Sequence, residues 1–202
     1  MQKEEMQKHM TQEQLQVAQV EELTPSVRPI HILDYDPEWP RRFECEAMRI
    51  KALLGEHVLL IEHVGSTSVP GLAAKPIIDI VLGVSNSADE PTYVPTLEAA
   101  AYVLRIREPD WHEHRMFKGP DTDINLHVFS LDCLEIDRML LFRNWLRKNA
   151  SDRQLYERTK RELALQNWKD VQHYADAKTS VVEEILARAR EDAEGGLPGQ
   201  LV

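Results

Sequence analysis

From Asp132 onward the hydrophobic pattern of this chain is helical throughout, and that change of texture restricts the folds open to it. Before Asp132 come four short apolar runs of strand length: HVLLIEHV (57–64), PIIDIVLGV (76–84), YVLRIRE (102–108) and DINLHVFS (123–130). Gly, Pro, Asn and Asp punctuate the gaps between them. After it come three long segments with helical spacing: DCLEIDRMLLFRNWLRKN (132–149), SDRQLYERTKRELALQNWKD (151–170) and YADAKTSVVEEILARARED (174–192). Strands first and helices last predict an α/β fold of the α+β kind. The expected architecture is a mixed sheet flanked by helices, followed by C-terminal helices over about 132–192.

Ahead of the strands, HILDYD (31–36) reads as a short strand or extended lead-in, and Asp36-Pro37 reads as a helix start. Asp can satisfy the orphan N–H groups there and Pro suits the first turn. Trp39, Phe43, Ala47, Ile50 and Leu54 then follow as one amphipathic stripe. A helix is expected over about 94–101, and HRMFKG (114–119) pairs with DINLHVFS as a hairpin across a Pro120-Asp121 turn. Asp132 and Ser151 are the expected caps of the first two C-terminal helices. The Gln- and Glu-rich residues 1–25 cannot bury a core and are expected to be frayed or disordered. Residues 26–192 form the expected single domain, and 193–202 a loose tail.

A net charge of −10 and a pI near 5.3 argue against a general nucleic-acid binder but leave room for a local basic cleft. Cys45 and Cys133 are far apart with no metal-ligand spacing, which fits reduced intracellular thiols. No apolar run approaches a membrane span of roughly 20 residues. The N-terminus carries no apolar signal core. A cytoplasmic protein without a membrane partner is expected.

The chemistry concentrates in IEHVGSTSVPGLAAKPIIDI (61–80). A Gly-rich loop leaving a strand can turn backbone N–H groups toward phosphate oxygens. Gly65 permits close approach, Ser66, Thr67 and Ser68 add hydroxyls, and Lys75 adds charge. Asp79 then sits inside an apolar strand, where an unpaired carboxylate is costly, so it needs a metal or a cation. A tight turn with a structural Asp79 paired to Lys75 or an arginine satisfies the same pattern. A Walker loop is excluded: Gly65 and Gly71 are one residue too far apart, and Leu72 stands where Lys belongs. A dinucleotide fingerprint is excluded as well, because the loop contains Pro70 and returns to a strand.

Gly-Ser followed by an acid inside an apolar strand resembles the nucleotidyltransferase superfamily. The full string EHVGSTSVPGLAAKPIIDI closely resembles the signature of the GrpB family. DYDPEWPRRFECEA, INLHVFS, LLFRNWLRKN, Tyr156 with Lys160, and YADAKTSVVEEI extend the likeness over roughly residues 29–190. The resemblance implies a nucleotidyltransferase-like domain whose Gly-Ser loop holds phosphates and whose acids hold Mg2+ or another divalent ion. It also implies a link, through relatives fused to dephospho-CoA kinase, to nucleotide or coenzyme A metabolism.

An active transferase of that kind carries a second acid two residues after the first; here that position is Val81. In strand 123–130, Asp123, Asn125, His127 and Phe129 share a face, so, if this strand neighbours the first, His127 can stand where a third acid would be. Three roles remain open for this set. Asp79 and His127, with Glu62, could ligate one divalent ion. His127 could act as a general base. The residues could also recognise a ligand without chemistry. His112 and His114 could chelate from one strand face or merely line a polar loop. Glu62 and His63 oppose each other across their strand, so only one meets a cleft. Arg115 and Lys118 could reach phosphates or sit on a solvated edge. Among Tyr156, Lys160, Tyr174 and Lys178 on the C-terminal segments, Lys178 is the expected inward-facing residue. The expected function is binding of a nucleotide or other phosphate-bearing small molecule. Its catalytic form is metal-assisted phosphoryl or nucleotidyl transfer, and the alternative is a noncatalytic accessory domain with a protein partner.

Overall fold

A computed structural model of the chain describes residues 30–166, 168 and 171–195. The expectations for residues 1–25 and for the tail beyond Gly195 fall outside them. Five strands form one sheet: β1 (Leu60–Val64), β2 (Ile78–Val84), β3 (Val103–Glu108), β4 (His114–Lys118) and β5 (Ile124–Ser130). Their order is β1-β2-β5-β4-β3, with β2 and β5 parallel and the other neighbours antiparallel. The sheet is therefore mixed, as the sequence predicts, and β4–β5 is the expected hairpin.

Helices cover both faces. α1 (Trp39–Leu54) and α2 (Val94–Ala99) lie against one of them. There Ile78, Ile80 and Leu82 of β2 and Ile124, Leu126 and Val128 of β5 meet Trp39, Ile50, Leu54 and Leu97, all nearly or fully buried. Each such side chain contributes on the order of 1.5–3 kcal/mol by leaving water. Asp36 Oδ1 accepts the Glu38 N–H at 2.9 Å, so the expected cap acts one turn early, ahead of a helix whose own first flank has no side-chain cap.

The opposite face receives the C-terminal helices α3 (Leu134–Lys148), α4 (Ala150–Ala164), α5 (Val171–Asp176) and α6 (Thr179–Gly195). Val64, Val81 and Phe129 of the sheet pack there with Ile136 of α3, and α6 packs on α3 and α4. Two cap assignments change. Cys133, not Asp132, flanks α3, without a side-chain cap. Asn149, not Ser151, caps α4 by accepting the Asp152 N–H at 2.9 Å. The third expected helix is split between Asp176 and Thr179, which places Lys178 at a junction. The Lys178 carbonyl accepts the Val182 N–H and opens α6.

Candidate functional site

Gly65 ends β1 with φ +68° and ψ −173°, a conformation that disfavours any side chain. The loop then makes one tight turn over Ser66–Ser68 and reaches β2 by way of Lys75. Two of its hydroxyls serve the loop itself. Buried Thr67 donates to the Ile77 carbonyl at 3.0 Å and so accepts from His63 Nε2, also at 3.0 Å. Buried Ser68 donates to the Gly65 carbonyl at 2.6 Å. Arg147 of α3 fixes the turn by donating to the Ser68 carbonyl at 2.9 Å and 3.1 Å. His63 points to the α1 side, stacked on Phe43 at 4.8 Å, and burial pushes it down to about 4 despite the nearby Asp79 charge. Of the predicted loop hydroxyls, Ser66 alone is half-buried and lies in hydrogen-bonding reach of Tyr156.

Gly65 matters because its backbone presses on Asp79. A Cβ there would overlap Asp79 Oδ2 and lie 3.0 Å from Asp79 Cγ. Asp79 faces the C-terminal helices beside Asn125, its register partner on β5. Asn125 Nδ2 donates to Asp79 Oδ1 at 2.7 Å, and His127 Nε2 stands 3.9 Å from the same oxygen. Desolvation works to raise Asp79, but the neighbouring His127, the hydrogen bond from Asn125 and the Lys178 charge outweigh it and hold the carboxyl below its ordinary range.

Two lysines converge from the other side. Lys75 Nζ lies 5.2 Å and Lys178 Nζ 4.6 Å from the centre of the Tyr174 ring. Burial, reinforced by the Lys178 charge, pushes Lys75 down to about 8. Burial also lowers Lys178, against which the Asp79 charge works in the raising direction. Tyr156 is buried and pushed up to about 12 by desolvation, with the Asp79 charge adding to the rise. The Tyr174 hydroxyl is buried and has no hydrogen-bond partner among the described residues. Lys160 stands apart: its ammonium donates to the Ala73 carbonyl and lies 4.8 Å over the Tyr156 ring, holding α4 to the loop.

The histidines are arranged differently from expectation. His112 and Glu113 take positive φ values of 56° and 50° in the turn before β4, so His112 lies outside the strand and does not share its face with His114. His114 instead joins His127: Nε2 of His114 lies 3.0 Å from Nδ1 of His127, and Nδ1 of His114 lies 2.6 Å from Glu108 Oε2. Glu62 shares the Asp79 face but is taken by Arg143 of α3 at 2.7 Å. Arg115 is buried against Glu90 at 2.6 Å, and Lys118 pairs with Asp123 at 3.0 Å.

This donor set does not fit a divalent metal. Asp79 Oδ1 is engaged by Asn125, Glu62 is neutralised by an arginine, and the Lys178 ammonium charge already acts on Asp79. Among the described residues no three His, Cys, Asp or Glu side chains gather as a metal-holding group. The geometry brings together Gly65, Ser66, Lys75, Asp79, His127 and Lys178; it leaves out Glu62 and turns the hydroxyls of Thr67 and Ser68 inward. Sequence reasoning passes over Asn125 as a partner of Asp79, although alternation on β5 places it on the His127 face. Nothing local in the sequence marks Glu108.

No helix among the described residues is long and apolar enough to cross a membrane. The family model described as GrpB protein matches residues 29–188. A UPF0157 protein of Halalkalibacterium halodurans is 64% identical over 179 residues, covering 89% of this chain and 92% of that one. The crystal structure of conserved protein GrpB from Enterococcus faecalis superposes with a TM-score of 0.72 at 33% identity, over 81% of this chain and 99% of that one. A protein of Mycolicibacterium paratuberculosis named dephospho-CoA kinase is 27% identical over 82% of this chain, which corresponds to 47% of its own length.

Proposed function

This chain belongs to the GrpB family, and from that premise we propose that it binds a phosphate-bearing small molecule, such as a nucleotide, between the Gly65–Ser66 turn and the α5–α6 junction. One observation carries the reading. Lys75 and Lys178 are drawn out of water onto one tyrosine ring, and the carboxylate charge they share is that of Asp79. Desolvated cations of that kind are stabilised by an anion between them. A phosphate brings about two negative charges and several acceptor oxygens. The Tyr174 hydroxyl, which has no partner among the described residues, and the hydroxyl of Ser66 are suitable donors to it.

In a catalytic version, Asp79 and His127 exchange a proton with a ligand hydroxyl beside the bound phosphate, and the chain's own lysines take the charge-neutralising part. A second reading draws on the dephospho-CoA kinase relative, about half of which corresponds to this chain. In it the same cleft serves a noncatalytic accessory unit that holds a coenzyme A precursor or another nucleotide.

Thermal shift with inorganic phosphate and a nucleotide panel, with and without Mg2+, tests the binding. A ligand at 100 times its Kd stabilises by about 2.7 kcal/mol. Lys178→Met and Lys75→Met are expected to weaken binding tenfold or more. Unchanged melting of the wild-type protein across the whole panel refutes the reading.

A further inference from the structure

On the face that carries the cleft, polar side chains form a diagonal row across four neighbouring strands. Glu108 on β3, His114 on β4, His127 on β5 and Asp79 on β2 follow the sheet order, each facing the next. Glu108 and His114 are direct register partners. His114 and His127 meet diagonally, because His127 is paired with Met116. His114 is clamped in place: it stacks on Phe129 at 4.7 Å and on His127 at 5.2 Å, and Trp111 meets it edge-on at 5.3 Å.

The hydrogen-bond directions in this row are determined by its far end. Glu108 can only accept from His114, so the proton of His114 sits on Nδ1. Burial lowers His114 to about 4, against the opposing pull of Glu108, so the ring carries one proton and its Nε2 is an acceptor. The 3.0 Å contact then requires a proton on Nδ1 of His127. The nitrogen left to exchange protons is Nε2 of His127, the one that faces Asp79.

We propose that Glu108 and His114 are positioning residues that hold His127 in the Nδ1–H tautomer and present its Nε2, next to Asp79, to a hydroxyl of the bound ligand. The inference rests on the cleft being the ligand site, and it narrows the ligand class to phosphate compounds that bring a hydroxyl, their own or that of a water, to that nitrogen. When the hydroxyl proton moves to Nε2, the O–H bond breaks, an N–H bond forms and the imidazolium charge lies against the Asp79 carboxylate. Glu108 and His114 touch no ligand; they act through His127, by the orientation logic known for histidines whose second nitrogen is fixed by an acceptor.

The test is imidazole 15N–1H correlation on full-length protein with 15N-labelled histidine, without ligand, at about pH 8, above the ordinary imidazole range. Expected are a protonated Nδ1 and a bare Nε2 for both His114 and His127. Glu108→Ala should turn His127 into a mixture of tautomers, whereas Glu108→Gln, which keeps an acceptor oxygen, should restore the single pattern. A wild-type His127 with a proton on Nε2 overturns the proposal whether or not the variants fold, as does a folded Glu108→Ala protein with the wild-type pattern. Titration with inorganic phosphate in the same sample separates the two readings. Binding with the wrong tautomer defeats the positioning role alone. The right tautomer with no response to phosphate or any nucleotide defeats the cleft reading.

Discussion

Replacing Gly65 by Ala should damage the protein in two separable ways. The backbone at φ +68° and ψ −173° belongs to a region that is essentially reserved for Gly, at about 1–3 kcal/mol for other residues. The new Cβ also overlaps Asp79 Oδ2 and must push the carboxylate off Asn125. A hydrogen bond to a charged group is worth about 1.5–3 kcal/mol. Together these predict a loss of about 3–5 kcal/mol, which for a domain of this size is a fall of roughly 10 °C in melting temperature. Gly71 is an internal control: its φ is +76°, but nothing lies within 4 Å of where a methyl group would stand, so Gly71→Ala should lose only the conformational part, about 1–2 kcal/mol. Urea unfolding of both variants, in wild-type and Asp79→Ala backgrounds, isolates the contact. Removing the carboxylate should lower the Gly65→Ala penalty by about 2 kcal/mol, leaving the backbone strain and the 3.0 Å approach to the Cβ at position 79. Equal penalties at the two glycines, within about 0.5 kcal/mol, would refute the claim that Gly65 is there to admit Asp79.

Two further outcomes concern pH. Burial lowers Lys160 to about 7, while the unfolded chain keeps that proton to near 10.5. The unfolded state therefore binds more protons from about pH 7 upward, and stability should rise with pH between 7 and 9, by up to about 1.4 kcal/mol per unit. In Lys160→Met that contribution should vanish from the urea midpoints; an unchanged slope would show that Lys160 titrates normally. At the acid end, His63 and His114 are both lowered to about 4 by burial, whereas unfolded histidines take their protons near 6.5. Each should remove stability as pH falls from 6.5 toward 4, at up to about 1.4 kcal/mol per unit. His63→Asn should be measurably less acid-sensitive than wild type, and identical acid curves would count against a neutral buried His63.

The mixed sheet is legible in the sequence because each strand carries its own signature. β2 reads as a nearly unbroken apolar run since it is central and covered on both faces, and its one interruption, Asp79, marks the site. The alternation in INLHVFS is enough to put His127 on the Asp79 face. What stays hidden depends on partners remote in sequence. The break at Lys178 lies in Ala-Lys, two good helix formers, so no local breaker announces it. In WHEHR the strand alternation does not reach back to His112, because the two left-handed residues His112 and Glu113 end it, and the turn signal Pro109-Asp110 stands ahead of them rather than at them. Glu62 has a strand position suited to a metal ligand, but Arg143, supplied by a helix far along the chain, neutralises it.

The split between α5 and α6 gives the chain's end a task beyond packing. Lys178 reaches Tyr174 and the Asp79 charge from the first residue before α6, and α6 is seated on α3 and α4. Seating that helix and completing the cleft are thus one equilibrium. A phosphate compound held by Lys75 and Lys178 would act as a clasp between the sheet and the C-terminal helices. By mass action, filling the cleft should slow amide exchange in α6 more than in α1, on the far side of the sheet.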